Sequence, residues 1–80
     1  MAVEDAQNTR SVQRELSRRY VDSTRIDIRV IHGVCYLRGI MAHLRSHPEV
    51  DLEHEAEVIQ RILRQKPGIR GVAWEVQIRS

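Results

Sequence analysis

Cys35 is the only cysteine of the chain, and His32 lies three residues before it in the stretch "HGVC". A thiol beside an imidazole becomes a nucleophile where the base takes its proton in a partly open, electropositive site. The surrounding pattern points elsewhere. Cys35 alternates in step with Leu37, which sets it on an apolar strand face, where a thiol behaves as a small hydrophobe. His43, His47 and His54 raise a second chemistry, since His43-x3-His47 has the spacing of half a zinc finger. Structural zinc wants four ligands, commonly with Cys pairs, and the one Cys is committed to a strand. These histidines read as loop and surface residues, and no metal or other cofactor is expected. Glu53, Glu55 and Glu57 sit at alternate positions of a helical segment, so their carboxylates diverge and make no acid–base pair. They read as a solvated face complementing the helix dipole, with Glu57 and Arg61 as an i,i+4 pair. None of this predicts an enzyme.

A binding chemistry is better represented. Arg10, Arg14 and Arg18 recur at i, i+4 and i+8 with Arg19 beside them, largely opposite Val12 and Leu16. Such a stripe is either a solvated helix face or a surface for anions, phospholipid headgroups or a nucleic-acid backbone. No aromatic is interleaved for base stacking and no RNP or GXXG loop occurs, so nucleic acid is the less favoured partner. The same helix offers no exposed apolar face for deep insertion into a bilayer.

The elements that must position these residues are bounded by composition. At 80 residues the chain makes one domain with one small core, and 41% hydrophobic content is enough to fill it. Thirteen basic residues, all but one of them Arg, and 11 acidic ones leave a net charge of +2. That is a mixed surface, unlike the strong basic excess of a dedicated nucleic-acid binder. One cysteine excludes an intrachain disulfide and fits a reducing compartment. "MAVEDAQNTRSV" lacks the apolar core of a secretory signal, and no apolar run approaches the roughly 20 residues that span a bilayer. A cytoplasmic protein is expected, or an envelope-associated one if a signal peptide has been removed.

Residues 1–8 read as a disordered segment and 9–80 as the domain. Val12, Leu16 and Tyr20 make the stripe of a helix over 9–19, capped by Asn8 or Thr9. "RIDIRV" alternates as a strand over 25–31, His32-Gly33 turns a hairpin, and a second strand covers 34–40. Gly39 has the parity of Cys35 and Leu37, and the expectation is that it clears space for a helix on the sheet. A connection over 41–51 overlaps a second helix over 48–65, with Pro48 in its first turn and Leu52, Ala56, Ile59 and Leu63 as its buried stripe. Pro67-Gly68 ends it, and a strand over 72–79 follows. The order α-β-β-α-β implies an α+β, two-layer sandwich, with both helices on one face of a three-stranded mixed sheet. The third strand is expected beside the first. The sheet's other face then carries Ile31, Val34, Tyr36 and Arg38 near the hairpin. That patch could dock a partner protein or a second copy in a weak homo-oligomer.

Order and joints together resemble the BON domain, the bacterial osmotic-shock and nodulation family. Its pattern is an alternating hairpin with a turn Gly, then apolar-x-Leu-x-Gly, an Ala-containing helix and a closing Gly-Val-x-x-Val. The chain reads "IDIRVIHGVCYLRGIM", "HEAEVIQRIL" and "PGIRGVAWEVQI". Gly33, Leu37, Gly39, Ala56, Gly68, Ile69, Val72, Val76 and Ile78 fall on matching positions, and Val12 and Leu16 fit the first helix. Cys35 stands where the family has Val, and Trp74 where it commonly has Asn. The resemblance covers about residues 9–79. It implies a non-catalytic module that contacts phospholipid surfaces or other proteins.

Overall fold

The computed structural model describes residues 3–79. Helix α1 (Val3–Ser17) is followed by strands β1 (Asp22–Ile31) and β2 (Val34–Ala42), helix α2 (Leu52–Gln65) and strand β3 (Gly71–Arg79). The expected α+β sandwich is present: three strands form one mixed sheet, and both helices supply residues to a single core on one of its faces. Val12 and Leu16 of α1 and Leu52, Ala56, Ile59 and Leu63 of α2 close over Ile28, Val30, Cys35, Leu37 and Met41.

The strand order is β1-β2-β3, with β1 antiparallel to β2 and β3 parallel to it. This corrects the expectation that the third strand lies beside the first. Two physical reasons account for it. A strand–helix–strand crossover packs its helix over the two strands it joins, which favours adjacent parallel neighbours. The hairpin end of the far side of β1 is also occupied by α1. There the Thr9 hydroxyl accepts from the Val30 N–H at 3.0 Å and donates to the Asp5 carbonyl at 2.8 Å.

The helix boundaries also move. α1 begins at Val3, inside the stretch expected to be disordered, and ends at Ser17. Met1 and Ala2 lie outside the described residues. Tyr20 consequently falls past the helix, is 58% exposed and stacks on His47 with ring centroids 4.6 Å apart; Val21 takes the buried place instead. α2 starts at Leu52, with Asp51 as its N-cap and not with Pro48 in its first turn. The Asp51 carboxylate accepts from the His54 N–H at 3.2 Å, satisfying a donor that has no partner within the helix. That satisfied donor sets the start of the helix.

Gly33 and Gly39 take different roles. His32 and Gly33 have φ of 51° and 80°, so both central residues of the two-residue turn are left-handed, the geometry that matches strand twist. Gly39 has φ of 131° and faces Ile26 across the ladder. A side chain there would run into the Arg25 carbonyl. The ladder slips by one residue between Asp22 and Arg25, a bulge next to this close approach. Gly39 therefore makes room for the neighbouring strand's backbone, which corrects the expectation of room for a helix. Gly68, with φ of 85°, follows Pro67 beyond the end of α2 as expected.

Candidate functional site

The outer face of α1 is the first candidate. Arg10, Arg14 and Arg18 are all exposed. The acids whose side chains are described in this helix turn elsewhere. Asp5 is buried, and its carboxylate accepts from the turn N–H groups of His32 at 3.1 Å and Gly33 at 3.4 Å. Glu15 leans toward α2, 3.7 Å from Lys66 and 3.7 Å from the largely exposed Arg18. Lys66 also donates to the Ser11 hydroxyl at 3.1 Å, tying the two helices together. The stripe is thus cationic along its solvent side.

Arg19 does not belong to it. Its guanidinium donates from Nε at 3.0 Å and from an Nη at 2.7 Å to one carboxylate oxygen of Glu55. Glu55 is buried, unlike the exposed Glu53 and Glu57, so the reading of all three as a solvated face holds only for the other two. The pair joins the end of α1 to α2 and satisfies a carboxylate that would be costly to bury alone.

The open face of the sheet is the second candidate. The ladder sets three rows across it: Ile31–Val34–Gly71, Arg29–Tyr36–Ala73 and Asp27–Arg38–Glu75. Ile31 and Tyr36 are 44% and 45% exposed, and they flank a shallow depression that also touches Arg38 and Ala73. The four residues singled out from sequence parity are therefore brought together, with Val34 half-buried between them. Arg38 stands between two acids in register, and Arg29 lies 3.7 Å from Asp27.

Cys35, His43 and His47 are engaged in structure, whereas His32 and His54 are exposed. Cys35 has no solvent exposure, and burial pushes its thiol up to about 11. At neutral pH the sulfur holds its proton and lacks thiolate character. His43 Nε2 lies 2.7 Å from the Val50 carbonyl, and His47 Nδ1 lies 2.9 Å from the Ser46 hydroxyl. No group of three His, Cys, Asp or Glu side chains among the described residues is arranged to hold a metal ion. No helix among them is long and apolar enough to cross a membrane.

Sequence reasoning missed Asp5, and its expectation of Asn8 or Thr9 as the N-cap is corrected: both lie inside α1, where Thr9 bonds the Val30 main chain. The signal was available: an Asp and a Thr four residues apart, on the face that also carries Val12 and Leu16, are placed to bond main chain beneath the helix. Compared with family models and with curated proteins, the chain matches none of them.

Proposed function

We propose that this protein is a non-catalytic interaction module that docks on an anionic phospholipid surface through the outer face of α1. One observation carries the reading. Arg10 and Arg14 of α1 and Arg18 just past its end are exposed at i, i+4 spacing, while Asp5 bonds the turn main chain and Glu15 is shared between Lys66 and Arg18. A row of guanidinium groups on a rigid helix meets phosphate oxygens with little ordering cost, and each near the surface contributes about 1 kcal/mol. The resemblance to BON domains supports the same class of function. Binding of this kind is peripheral, because α1 turns its apolar residues Val12 and Leu16 into the core.

Co-sedimentation with vesicles of phosphatidylglycerol and phosphatidylcholine, across a salt series, tests the reading. Binding is expected at low salt, weakening as ionic strength rises. Vesicles of phosphatidylcholine alone should leave the protein in the supernatant. Replacing all three arginines by Gln should abolish binding with the far-UV circular dichroism unchanged. Retention of an oligonucleotide in place of anionic vesicles would transfer the stripe to nucleic acid.

A further inference from the structure

The two edges of the sheet are treated differently. On the β1 side, Thr9 takes the Val30 N–H and Asp5 takes those of the turn residues His32 and Gly33, so α1 supplies partners at the hairpin end of that edge. On the β3 side, among the described residues, no side chain and no main chain outside β2 bonds the backbone of Gly71–Arg79. β3 is nine residues long and pairs with β2 without a register shift. It contains no Pro and no Lys, and it carries no inward charge, since Val72, Trp74, Val76 and Ile78 occupy the helix side. Among the usual devices that keep an edge strand from pairing, β3 therefore has only the outward charges of Glu75 and Arg79.

We infer that β3 is a self-association edge, pairing antiparallel with β3 of a second copy about a twofold axis at Val76. Opposed residues in such a pair must share a face, which restricts the register. Centring on Glu75 would set that carboxylate against its own copy, an unfavourable pairing. Centring on Val76 moves Glu75 from directly opposite its own copy to opposite Gln77, with Glu75 and Arg79 of the other copy both on its diagonals. On the helix side it sets Trp74 opposite Ile78, an aromatic and β-branched pair formed twice, and it covers Ile78, which is 36% exposed in one copy.

The helix above the edge is self-complementary as well. Glu55 and Lys66 turn one flank of α2 toward α1, which leaves Glu57, Gln60 and Arg64 on the β3 side. A twofold axis runs α2 antiparallel to its copy, so the acidic first half, Glu53 and Glu57, meets the basic second half, Arg61 and Arg64. The result is a six-stranded sheet with four helices on one face. Both α1 surfaces stay free at its outer ends.

Sedimentation equilibrium of the wild-type chain over a wide concentration range should give a reversible monomer–dimer equilibrium. Ile78→Lys should raise the dissociation constant at least about ten-fold with unchanged circular dichroism, since one edge Lys opposes pairing on both copies. Ile31→Lys, on the open face, should dimerise as wild type does. Val76→Cys should cross-link to a dimer under mild oxidation through the residue on the axis, while buried Cys35 stays unreacted. This last readout stands even if Ile78→Lys proves unstable. A wild-type chain that is monomeric at every concentration overturns the inference. So does a dimer that Ile31→Lys dissolves and Ile78→Lys leaves intact.

Discussion

The α1–β1 side and the α2–β3 side of this protein are built by different means. α2 is attached by an apolar stripe, Leu52, Ala56, Ile59 and Leu63, each at most 5% exposed. Among its described side chains, α1 contributes Val12 and Leu16 to the core and adds Asp5 and Thr9, which bond the main chain of β1 and its turn. Apolar burial covers a sheet face and leaves its edge unpartnered, whereas polar groups can occupy the edge donors directly. The comparison teaches that a small core can be completed twice over on one face while one edge stays open.

The strongest way to break the comparison is at the joint of β1 and β2. Gly39→Val combines a disfavoured φ with a collision against the Arg25 carbonyl, and should cost about 3–5 kcal/mol. A denaturant midpoint equal to wild type would show that this close approach yields freely. On the α2 side, Leu63→Ala should cost about 2–5 kcal/mol by opening a cavity in the fully buried layer, again read by urea unfolding.

Cys35 sharpens the picture of the central strand through pH. Its thiol is pushed up to about 11 from an ordinary 9.0, so the folded state holds the proton more tightly than the unfolded state. Stability from this group is complete below pH 9 and falls as pH rises toward 11. A difference of about two pH units corresponds to a loss of about 3 kcal/mol at the alkaline limit. Cys35→Val should lack that component, so the gap between the two proteins' stabilities is the measurement. A gap that stays constant from pH 7 to 11 would refute it.

On the α1 side, Asp5→Ala leaves two turn N–H groups without their acceptor and should cost about 1–3 kcal/mol. Amide exchange at His32 and Gly33 should accelerate more than exchange within β2. Equal acceleration everywhere would mean that Asp5 stabilises the fold without tying α1 to the turn. The smallest effect is expected at the start of α2, where Asp51→Ala removes one cap and should cost about 1 kcal/mol. Thermal unfolding should detect it, and a larger loss would imply that Asp51 supports the 43–50 connection too.

The α2 side was the more legible in the sequence because a 3.6-residue apolar period declares both the helix and its buried face. Parity likewise placed Ile31, Val34, Tyr36 and Arg38 together on the open face, and spacing pointed to Arg10 and Arg14 as exposed on α1, with Arg18 just past its end. The α1 side was less legible. "VEDAQNT" looks polar and uncommitted, yet Asp5 and Thr9 bury polar atoms by bonding backbone, which leaves no periodic signature. Arg19 seemed one more member of a stripe, because its partner Glu55 is 36 residues away in sequence.

Composition, alternation and turn residues thus determined by themselves the α-β-β-α-β order, the hairpin at His32-Gly33 and the single-faced arrangement of helices. These are local properties, fixed by side-chain period and backbone preference over a few residues. The place of β3 beside β2, the close approach of β1 backbone that requires Gly39 and the burial of Asp5 and Glu55 were decided only by tertiary structure. Each depends on which backbone lies next to which, and a linear pattern does not encode that neighbour until the crossover has closed and α1 has settled against the hairpin end of β1.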